Sequence, residues 1–305
     1  MGKILTSTKN MSHDEWLAWR RKGVGGSDVP AILGFNKYRG IIDVWMDKLN
    51  KSEPIQENKP MLWGKRLESI LAEVFMEETG KKLIQRNAIY QHKKHYFMLA
   101  NIDRLVTGES AGWEGKTVNA RYKDDGRCPI EFWLQCQHYM EVLNKDYWYL
   151  TILAGGQYDY TYKVERDQNY IDKVMVPAET EFWQKVINQE MPAPDGTETA
   201  KNALSEMYPE ATEEEMELPE DAYELLDKYD GYKEKKELVE GKMTEIENQL
   251  KALMEDKAKA FVFDRKVYWS NVVSSKFDKK QFKMDHPELH DRYTVPSAYR
   301  RFQIK

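Results

Sequence analysis

Two carboxylates and one ammonium group have the spacing of a hydrolytic metal site. Glu114 and Lys116 lie two residues apart in a stretch, 111–118, whose pattern predicts a β-strand, so their side chains share one face. Asp103 ends the preceding predicted strand, about one hairpin away. Carboxylates suit Mg²⁺ or Mn²⁺, and a bound ion acidifies water and offsets charge on a phosphodiester under attack. Lys116 is positioned to orient that water or to help deprotonate it.

The elements that position these groups follow from hydrophobic periodicity. Leu67 to Phe75 have helical spacing, which predicts a helix over 64–79 that carries a third carboxylate, Glu68. Ser27 has the position of an N-cap before a short helix, 28–33. Further helices are predicted at 130–143 and 168–190, and strands at 84–91, 95–101, 111–118, 147–154 and 158–165. This order predicts an α/β fold with a mixed central sheet flanked by helices.

A Pro- and Gly-containing stretch, 191–196, marks a domain boundary. We expect a core domain over 1–195, an acidic linker over 196–221 and an appendage over 222–305 that serves assembly or the docking of a partner. Ten positions between 222 and 253 keep strict 3-4 spacing, and nine of them are apolar. This is the pattern of a coiled coil or helical hairpin. Strand-like sequence at 260–269 and a basic tail follow, the tail being either a packed strand or a contact for DNA or a partner.

Composition excludes several classes of protein. The sequence has no apolar run close to the roughly 18 residues of a membrane span, and its first residues lack the pattern of a signal peptide. Two cysteines are too few for a disulfide framework or a four-thiolate site, so we expect a cytoplasmic protein. The net charge is −5, yet Glu206 to Asp221 hold eight acidic residues and no lysine or arginine. The remaining chain is therefore net positive and can offer basic surface to phosphates.

Five motifs, taken together, resemble the YqaJ-type viral recombinase family. That family is similar to lambda exonuclease and belongs to the PD-(D/E)xK nuclease superfamily. The resemblance covers about 13–190, and its motifs are Arg20-x-x-Gly-Val-Gly-Gly-Ser27-Asp28 with Ala-Ile-Leu-Gly34, Trp63-Gly-Lys-Arg-Leu-Glu68, Asp103, Glu114-Gly-Lys116 and Gln135-Cys-Gln137.

The resemblance implies an enzyme that resects linear duplex DNA from 5′ to 3′ for phage-type recombination in a bacterial cell. It implies Mg²⁺, with Mn²⁺ as a substitute, bound as one or two ions. It also implies partners: duplex ends that carry a 5′ phosphate, a single-strand annealing protein, and further copies of the chain, as in the toroidal trimers of lambda exonuclease-like proteins.

The resemblance also implies roles for residues around the metal. Asp103 and Glu114 match the metal carboxylates, and the Gly115 carbonyl is a further candidate ligand. Lys116 matches the catalytic lysine. Glu68 matches the helix glutamate that completes the active site and is a candidate ligand as well.

Residues that hold DNA are implied in the same way. Arg20 and Ser27 match residues that bind the 5′-terminal phosphate, which suits a planar guanidinium and a helix N-terminus. Gln135 matches a glutamine near the nucleophile, and Gln137 is its companion on the DNA. Arg104 stands where the superfamily has glycine, so it either narrows the site or binds phosphate.

Two other readings stay open. The same core serves metal-dependent endonucleases, which would cut closed circular DNA. A non-catalytic scaffold that binds DNA or a recombinase would use the coiled-coil-like segment and would keep its function without Asp103, Glu114 and Lys116. The intact set of acidic and basic residues argues against the scaffold.

Overall fold

The structure is a computed structural model that describes residues 2–52, 58–296 and 299–304. The chain divides into two compact units, Met1–Tyr208 and Pro209–Lys305. Within the described residues, no helix combines the length and the apolar character that crossing a bilayer requires.

The first unit alternates helices with short strands. Its elements are β1 (Lys3–Ser7), α1 (His13–Arg20), β2 (Val24–Gly25), α2 (Val29–Ile32), α3 (Ile41–Lys48), α4 (Lys59–Thr79), β3 (Leu83–Gln85), β4 (Ala88–Gln91), β5 (Met98–Asn101), β6 (Arg104–Val106), β7 (Ala111–Val118), α5 (Ile130–Leu143), β8 (Tyr147–Ala154), β9 (Tyr158–Glu165), α6 (Gln168–Tyr170), α7 (Val176–Asn188) and α8 (Glu198–Met207). A π-helical turn, Ile171–Met175, joins α6 to α7, so the helix predicted over 168–190 is one irregular helical segment.

The strands form two mixed sheets with helices packed against them. One sheet has the order β1-β4-β5-β2 and the other β3-β6-β7-β8-β9; β2 with β5 and β7 with β8 pair in parallel. The predicted mixed α/β fold is confirmed, but the sheet is in two parts. The predicted strand 84–91 breaks where the N–H of Ala88 donates to the carbonyl of Arg86 (2.9 Å), so β3 and β4 join different sheets.

Strand β8 is buried on both faces, as its continuous apolar sequence predicts. Trp148, Leu150 and Ile152 pack in the main core, which includes the inner face of α5. On the other face, the ring of Tyr149 lies 5.2 Å from that of Phe75 in α4. Full burial of each such side chain contributes roughly 1.5–3 kcal/mol. These contacts hold β7, the parallel neighbour of β8, between α4 and α5.

Helix α8 corrects the predicted linker. Residues 196–221 were expected to connect two domains, but α8 packs its buried Ala200 and Ala203 against Ile42 of α3. The hydroxyl of Thr197 accepts from the N–H of Ala200 (3.1 Å) and caps the helix. The core unit therefore extends to Tyr208, and only the acidic residues that follow lie outside it.

The second unit is built around one long helix. Its elements are α9 (Ala222–Met254), β10 (Lys259–Val262), β11 (Arg265–Tyr268), α10 (Lys279–Asp285) and α11 (Pro287–Tyr293). The apolar 3-4 pattern thus forms a single continuous helix, and the predicted helical hairpin is wrong. Strands β10 and β11 form an antiparallel hairpin. The basic tail contains the helices α10 and α11 and no strand among its described residues. The packed strand, one of the two expectations for this tail, is therefore wrong.

A buried ion pair joins α5 and α7 to the first sheet. His138 and Glu179 are both fully buried, and Nδ1 of His138 lies 3.0 Å from a Glu179 carboxylate oxygen. The other ring nitrogen lies 2.8 Å from the carbonyl of Leu99. Burial by itself lowers the pKa of His138, but the Glu179 charge and these two hydrogen bonds outweigh it and raise the pKa above 6.5. The imidazolium form therefore donates to both acceptors.

We predict that Glu179→Ala lowers the free energy of unfolding by about 3–5 kcal/mol, because it leaves a buried cation unpaired. A histidine whose pKa is raised by folding contributes stability that is complete below its unfolded pKa, about 6.5. That contribution disappears as the pH rises through the folded pKa. Urea unfolding at pH 6 and at pH 9 measures both effects, and the loss should be larger at pH 6.

Glu181→Ala is the matched control, because this side chain lies on the same helix and is 75% exposed. Its effect should stay within about 0.5 kcal/mol. An equal loss for both variants, or a loss at Glu179 that does not change with pH, contradicts the ion pair.

Candidate active site

Sheet register brings the predicted carboxylates together. Arg104 of β6 pairs with Trp113 of β7, which places Asp103 beside the next residues of β7. One carboxylate oxygen of Asp103 accepts from the N–H of Gly115 (3.2 Å). On β7, Nζ of Lys116 donates to Oε1 of Glu114 (2.7 Å), so the i, i+2 pair shares a face as expected.

Helix α5 supplies the amide that fixes Glu114. Nε2 of Gln135 donates to Oε1 of Glu114 (2.7 Å) and lies 2.8 Å from the hydroxyl of Tyr139, which donates to the carbonyl of Asn101 (3.1 Å). Sequence reasoning missed Tyr139, although it follows Gln135 by one helical turn and so lies on the same face. The carboxylate of Glu114 is thus held from both the sheet and the helix.

Helix α4 adds Glu68 at the edge of the site. Its Oε1 lies 3.4 Å from Nη2 of Arg104, so Glu68 engages an arginine. The guanidinium of Arg104 lies 6.0 Å from the Trp113 ring, within the range of a cation–π contact. Arg104 therefore adds a positive charge near the carboxylates, and its ion pair with Glu68 holds that charge at the edge of the site.

The carboxyl groups of this site outnumber the nearby cationic side chains, and this shifts their pKa values. Burial and the neighbouring Asp103 charge raise the pKa of Glu114 to about 8. Burial also raises the pKa of Asp103, and burial with the Asp103 charge raises that of Glu68. Burial alone would lower the pKa of Lys116, but the charges of Glu114 and Asp103 outweigh it and raise it. Lys116 is therefore an ammonium at neutral pH.

The residues present fit a small divalent cation. Among the described residues, Oε2 of Glu114 is buried with no hydrogen-bond partner, which is costly unless a ligand takes it up. No group of three or more His, Cys, Asp or Glu side chains in the described part of the chain is arranged to hold a metal. The carboxylate donors are then Asp103 and Glu114, a number that suits Mg²⁺, which keeps several waters. The structure does not place Glu68 as a ligand.

A second cluster surrounds Arg20 and Ser27. Nη2 of Arg20 donates to the hydroxyl of Ser27 (2.9 Å) and lies 3.4 Å from Oδ1 of Asp28. Its guanidinium also lies 4.9 Å from the centre of the Trp16 ring. The expectation that Ser27 is an N-cap is wrong: Asp28 occupies that position, and α2 is only four residues long.

Asp28 is fully buried and takes part in three ion pairs. Lys48 and Arg39 donate to its two oxygens at 2.6 and 2.7 Å, in addition to Arg20. Burial alone would raise the pKa of Asp28, but these three cations hold it far below its usual range. Sequence reasoning missed this network, because Arg39 lies in the loop before α3 and Lys48 at the end of α3, and no local pattern joins them to Asp28.

A cavity of about 200 Å³ lies beside the Arg20–Ser27 cluster and reaches the side of α5 that faces Glu114. Arg20 and Ser27 line one part of it, and Gln135 and Tyr139 line another. An anion held by Arg20 would therefore share a cavity with the amide that contacts Glu114.

Gln137 does not join this cavity. It is fully buried, its amide nitrogen donates to the carbonyl of Glu165 (2.8 Å), and its amide oxygen accepts from the N–H of Asp167 (2.8 Å). Both ends of the side chain are engaged by backbone beyond β9. The prediction that Gln137 contacts DNA is wrong, because the residue fixes the turn between β9 and α6.

Comparison with known sequences gives the class of this chain, that of the viral recombinases. The chain belongs to the YqaJ-like viral recombinase family, whose domain model matches residues 15–146. It is 35% identical to the uncharacterized protein YqaJ of Bacillus subtilis (strain 168) over 312 residues, covering 99% of this chain and 97% of that protein. Protein D345L of African swine fever virus is 26% identical over 136 residues, 42% of this chain and 39% of that protein.

Among solved structures, the chain is similar to an alkaline exonuclease from Laribacter hongkongensis. It is 17% identical, with a TM-score of 0.47, and the match covers 64% of this chain and 99% of that chain.

We predict that Mg²⁺ raises the unfolding temperature of this protein. Neutralising the unpartnered oxygen of Glu114 stabilises only the folded state, by about 2.7 kcal/mol at a concentration 100 times the Kd. For a domain of this size that is roughly 5–10 °C, measured by differential scanning calorimetry without and with MgCl₂.

Glu114→Gln should remove the rise, whereas Glu109→Gln, on the loop before β7, should keep it. A rise that persists in Glu114→Gln would place the ion elsewhere.

Proposed function

We propose that this protein is a metal-dependent deoxyribonuclease that resects linear duplex DNA from 5′ to 3′ and exposes 3′ single strands for recombination by annealing. The observation that carries the proposal is the cavity that the Arg20–Ser27 pair shares with Gln135, whose amide donates to Glu114 beside Lys116. An anchor for a terminal phosphate next to a hydrolytic site favours ends over internal bonds. Membership in the YqaJ-like viral recombinase family supports the same conclusion.

Each residue has a task in this reaction. Mg²⁺, held by Asp103, Glu114 and the carbonyl of Gly115, would acidify the attacking water and offset charge on the phosphodiester. Lys116 remains protonated beside Glu114, so it orients the water and donates to developing negative charge. Gln135 keeps Glu114 in position through its amide.

The terminal nucleotide would be held by its phosphate. Arg20 offers a planar guanidinium and Ser27 a hydroxyl, and the Asp28 carboxylate keeps the guanidinium in place. After each cleavage, the new 5′ phosphate would bind the same pair. Repeated binding of each new 5′ phosphate by the same pair would give stepwise digestion, and no second phosphate-binding site would be required.

Partners beyond DNA are part of the proposal. A single-strand annealing protein would load on the exposed 3′ strand, and copies of the core would surround the duplex, as family resemblance implies. Mn²⁺ would substitute for Mg²⁺, since both prefer oxygen ligands.

We predict that the protein digests linear duplex DNA in the presence of Mg²⁺ and leaves closed circles intact. Phosphorothioate linkages at the 5′ ends should protect the substrate, and the same linkages at the 3′ ends should not. Lys116→Ala should slow digestion by about 10²–10³-fold, the usual cost of one preorganised donor. Release of acid-soluble nucleotides measures the rate.

Lys163→Ala, on strand β9 of the same sheet, should digest like the parent protein. Cutting of closed circles would favour an endonuclease. Binding of DNA without digestion, unchanged in Lys116→Ala, would favour a non-catalytic scaffold.

A second prediction concerns the anchor. Digestion should be faster with 5′-phosphate than with 5′-hydroxyl ends, and Arg20→Lys should reduce that preference by about tenfold, because a charge-assisted hydrogen bond contributes roughly 1.5–3 kcal/mol. The rate on 5′-hydroxyl ends should change little.

Arg21→Lys is the matched control, because Arg21 contacts Asp47 and not Ser27 or Asp28. Equal effects of the two substitutions on the preference would argue against an anchor at Arg20.

A further inference from the structure

Helix α9 presents an exposed apolar seam along its length. We define the seam as the ten positions with 3-4 spacing: Ala222, Leu225, Tyr229, Tyr232, Lys236, Val239, Met243, Ile246, Leu250 and Leu253. Their large apolar side chains are exposed, for example 70% at Tyr232, 56% at Ile246 and 82% at Leu253. Apolar surface in a continuous row of this kind marks a contact with another protein surface.

The repeat of the seam points to a helical partner. An α-helix drifts about 20° per heptad relative to a strict seven-residue repeat. Across the four heptads of α9 the seam therefore turns by about 80° around the helix axis. A straight groove could not contact the whole seam. A second helix that winds around α9 stays on the seam throughout. Gly231 and Gly241 both lie off the seam, where they weaken the isolated helix without interrupting its contact face.

Charges beside the seam select the partner. In a parallel, in-register pair, the residue before one seam position faces the residue five positions later on the second helix. Lys235 then faces Glu240 of the second copy, and Lys242 faces Glu247. Symmetry doubles these two attractive pairs. A repulsive pair, Lys228 with Lys233 of the second copy, is doubled in the same way and lies closer to the helix N-terminus.

The opposite orientation lacks this complementarity. In an antiparallel pair, each flanking row faces its own copy. The row that contains Lys228, Lys235 and Lys242 then brings only like charges together, and the second row, which contains Lys233, Glu240 and Glu247, mixes attractive with repulsive pairs. The single lysine in the seam, Lys236, adds to the selection. A polar residue at one seam position costs stability but fixes register, because any shift by a heptad produces two defective layers instead of one.

We propose that α9 pairs with α9 of a second copy of this chain as a parallel, in-register coiled coil. The occupant of the seam is therefore another copy, recognised by its own flanking charges. This pairing goes beyond the proposed digestion of DNA and does not depend on it, because no residue of the candidate active site takes part.

Cysteine cross-linking of the full chain tests the orientation. In the proposed pair, Leu225→Cys and Leu253→Cys each meet their own copy, so each variant should form a covalent dimer under mild oxidation on a non-reducing gel. The two positions lie about 42 Å apart along the helix. A covalent dimer that forms only when the two variants are mixed would show an antiparallel pair and overturn the proposal.

Glu234→Cys, on the far side of the helix from the seam, is the matched control and should not cross-link. The parent chain controls for Cys128 and Cys136. Absence of covalent dimer in both seam variants, or dimer at Glu234→Cys to the same extent, would also overturn the proposal.

Charge exchange tests the partner. Two charge-reversal variants, each combined with Leu253→Cys, should lose most of their cross-linked dimer. One is Glu240→Lys/Glu247→Lys and the other is Lys235→Glu/Lys242→Glu. Mixing the two should restore it as a heterodimer, because all four attractive pairs return. Glu234→Lys/Glu245→Lys changes the same charge off the seam and should cross-link normally. Loss without restoration on mixing would contradict recognition by these charges.

Discussion

One buried oxygen atom, Oε1 of Glu114, receives hydrogen bonds from Lys116 on β7 and Gln135 on α5. Sheet and helix must both approach it, because a buried acceptor left without its hydrogen-bond donors costs about 1–3 kcal/mol. The packing of β8 against α5 and α4 holds that approach in place. The second oxygen of the same carboxylate has no hydrogen-bond partner among the described residues, which leaves one buried acceptor for a ligand.

Two buried carboxylates in the first unit have opposite surroundings. Asp28 has three cations around it, and its cluster carries positive charge that an anion can use. Glu114 has one lysine and a neighbouring carboxylate, Asp103, so its site favours a cation. A phosphodiester next to a metal needs both environments. The cavity beside Arg20 also reaches Gln135, whose amide contacts Glu114.

The sequence predicted best what depends on local periodicity. The strand 147–154 followed from a run that is apolar except at Thr151. The break within 84–91 did not follow from the sequence, because neither glycine nor proline marks it. Gln135 and Gln137 have the same chemistry but point to different faces of α5, so only packing distinguishes the one that holds Glu114. The cationic partners of Asp28 come from separate parts of the chain. Such ion pairs can be identified only once the tertiary structure is known.

Arg20 is ordered before any anion arrives. Ser27, Asp28 and the ring of Trp16 already fix its guanidinium, so the loss of side-chain rotamer entropy, about 2 kcal/mol for arginine, occurs when the chain folds. A ligand bound there does not have to immobilise a flexible side chain. Its association would therefore have a smaller entropic penalty than binding to a free surface arginine, and the difference would appear in calorimetry as a less unfavourable binding entropy.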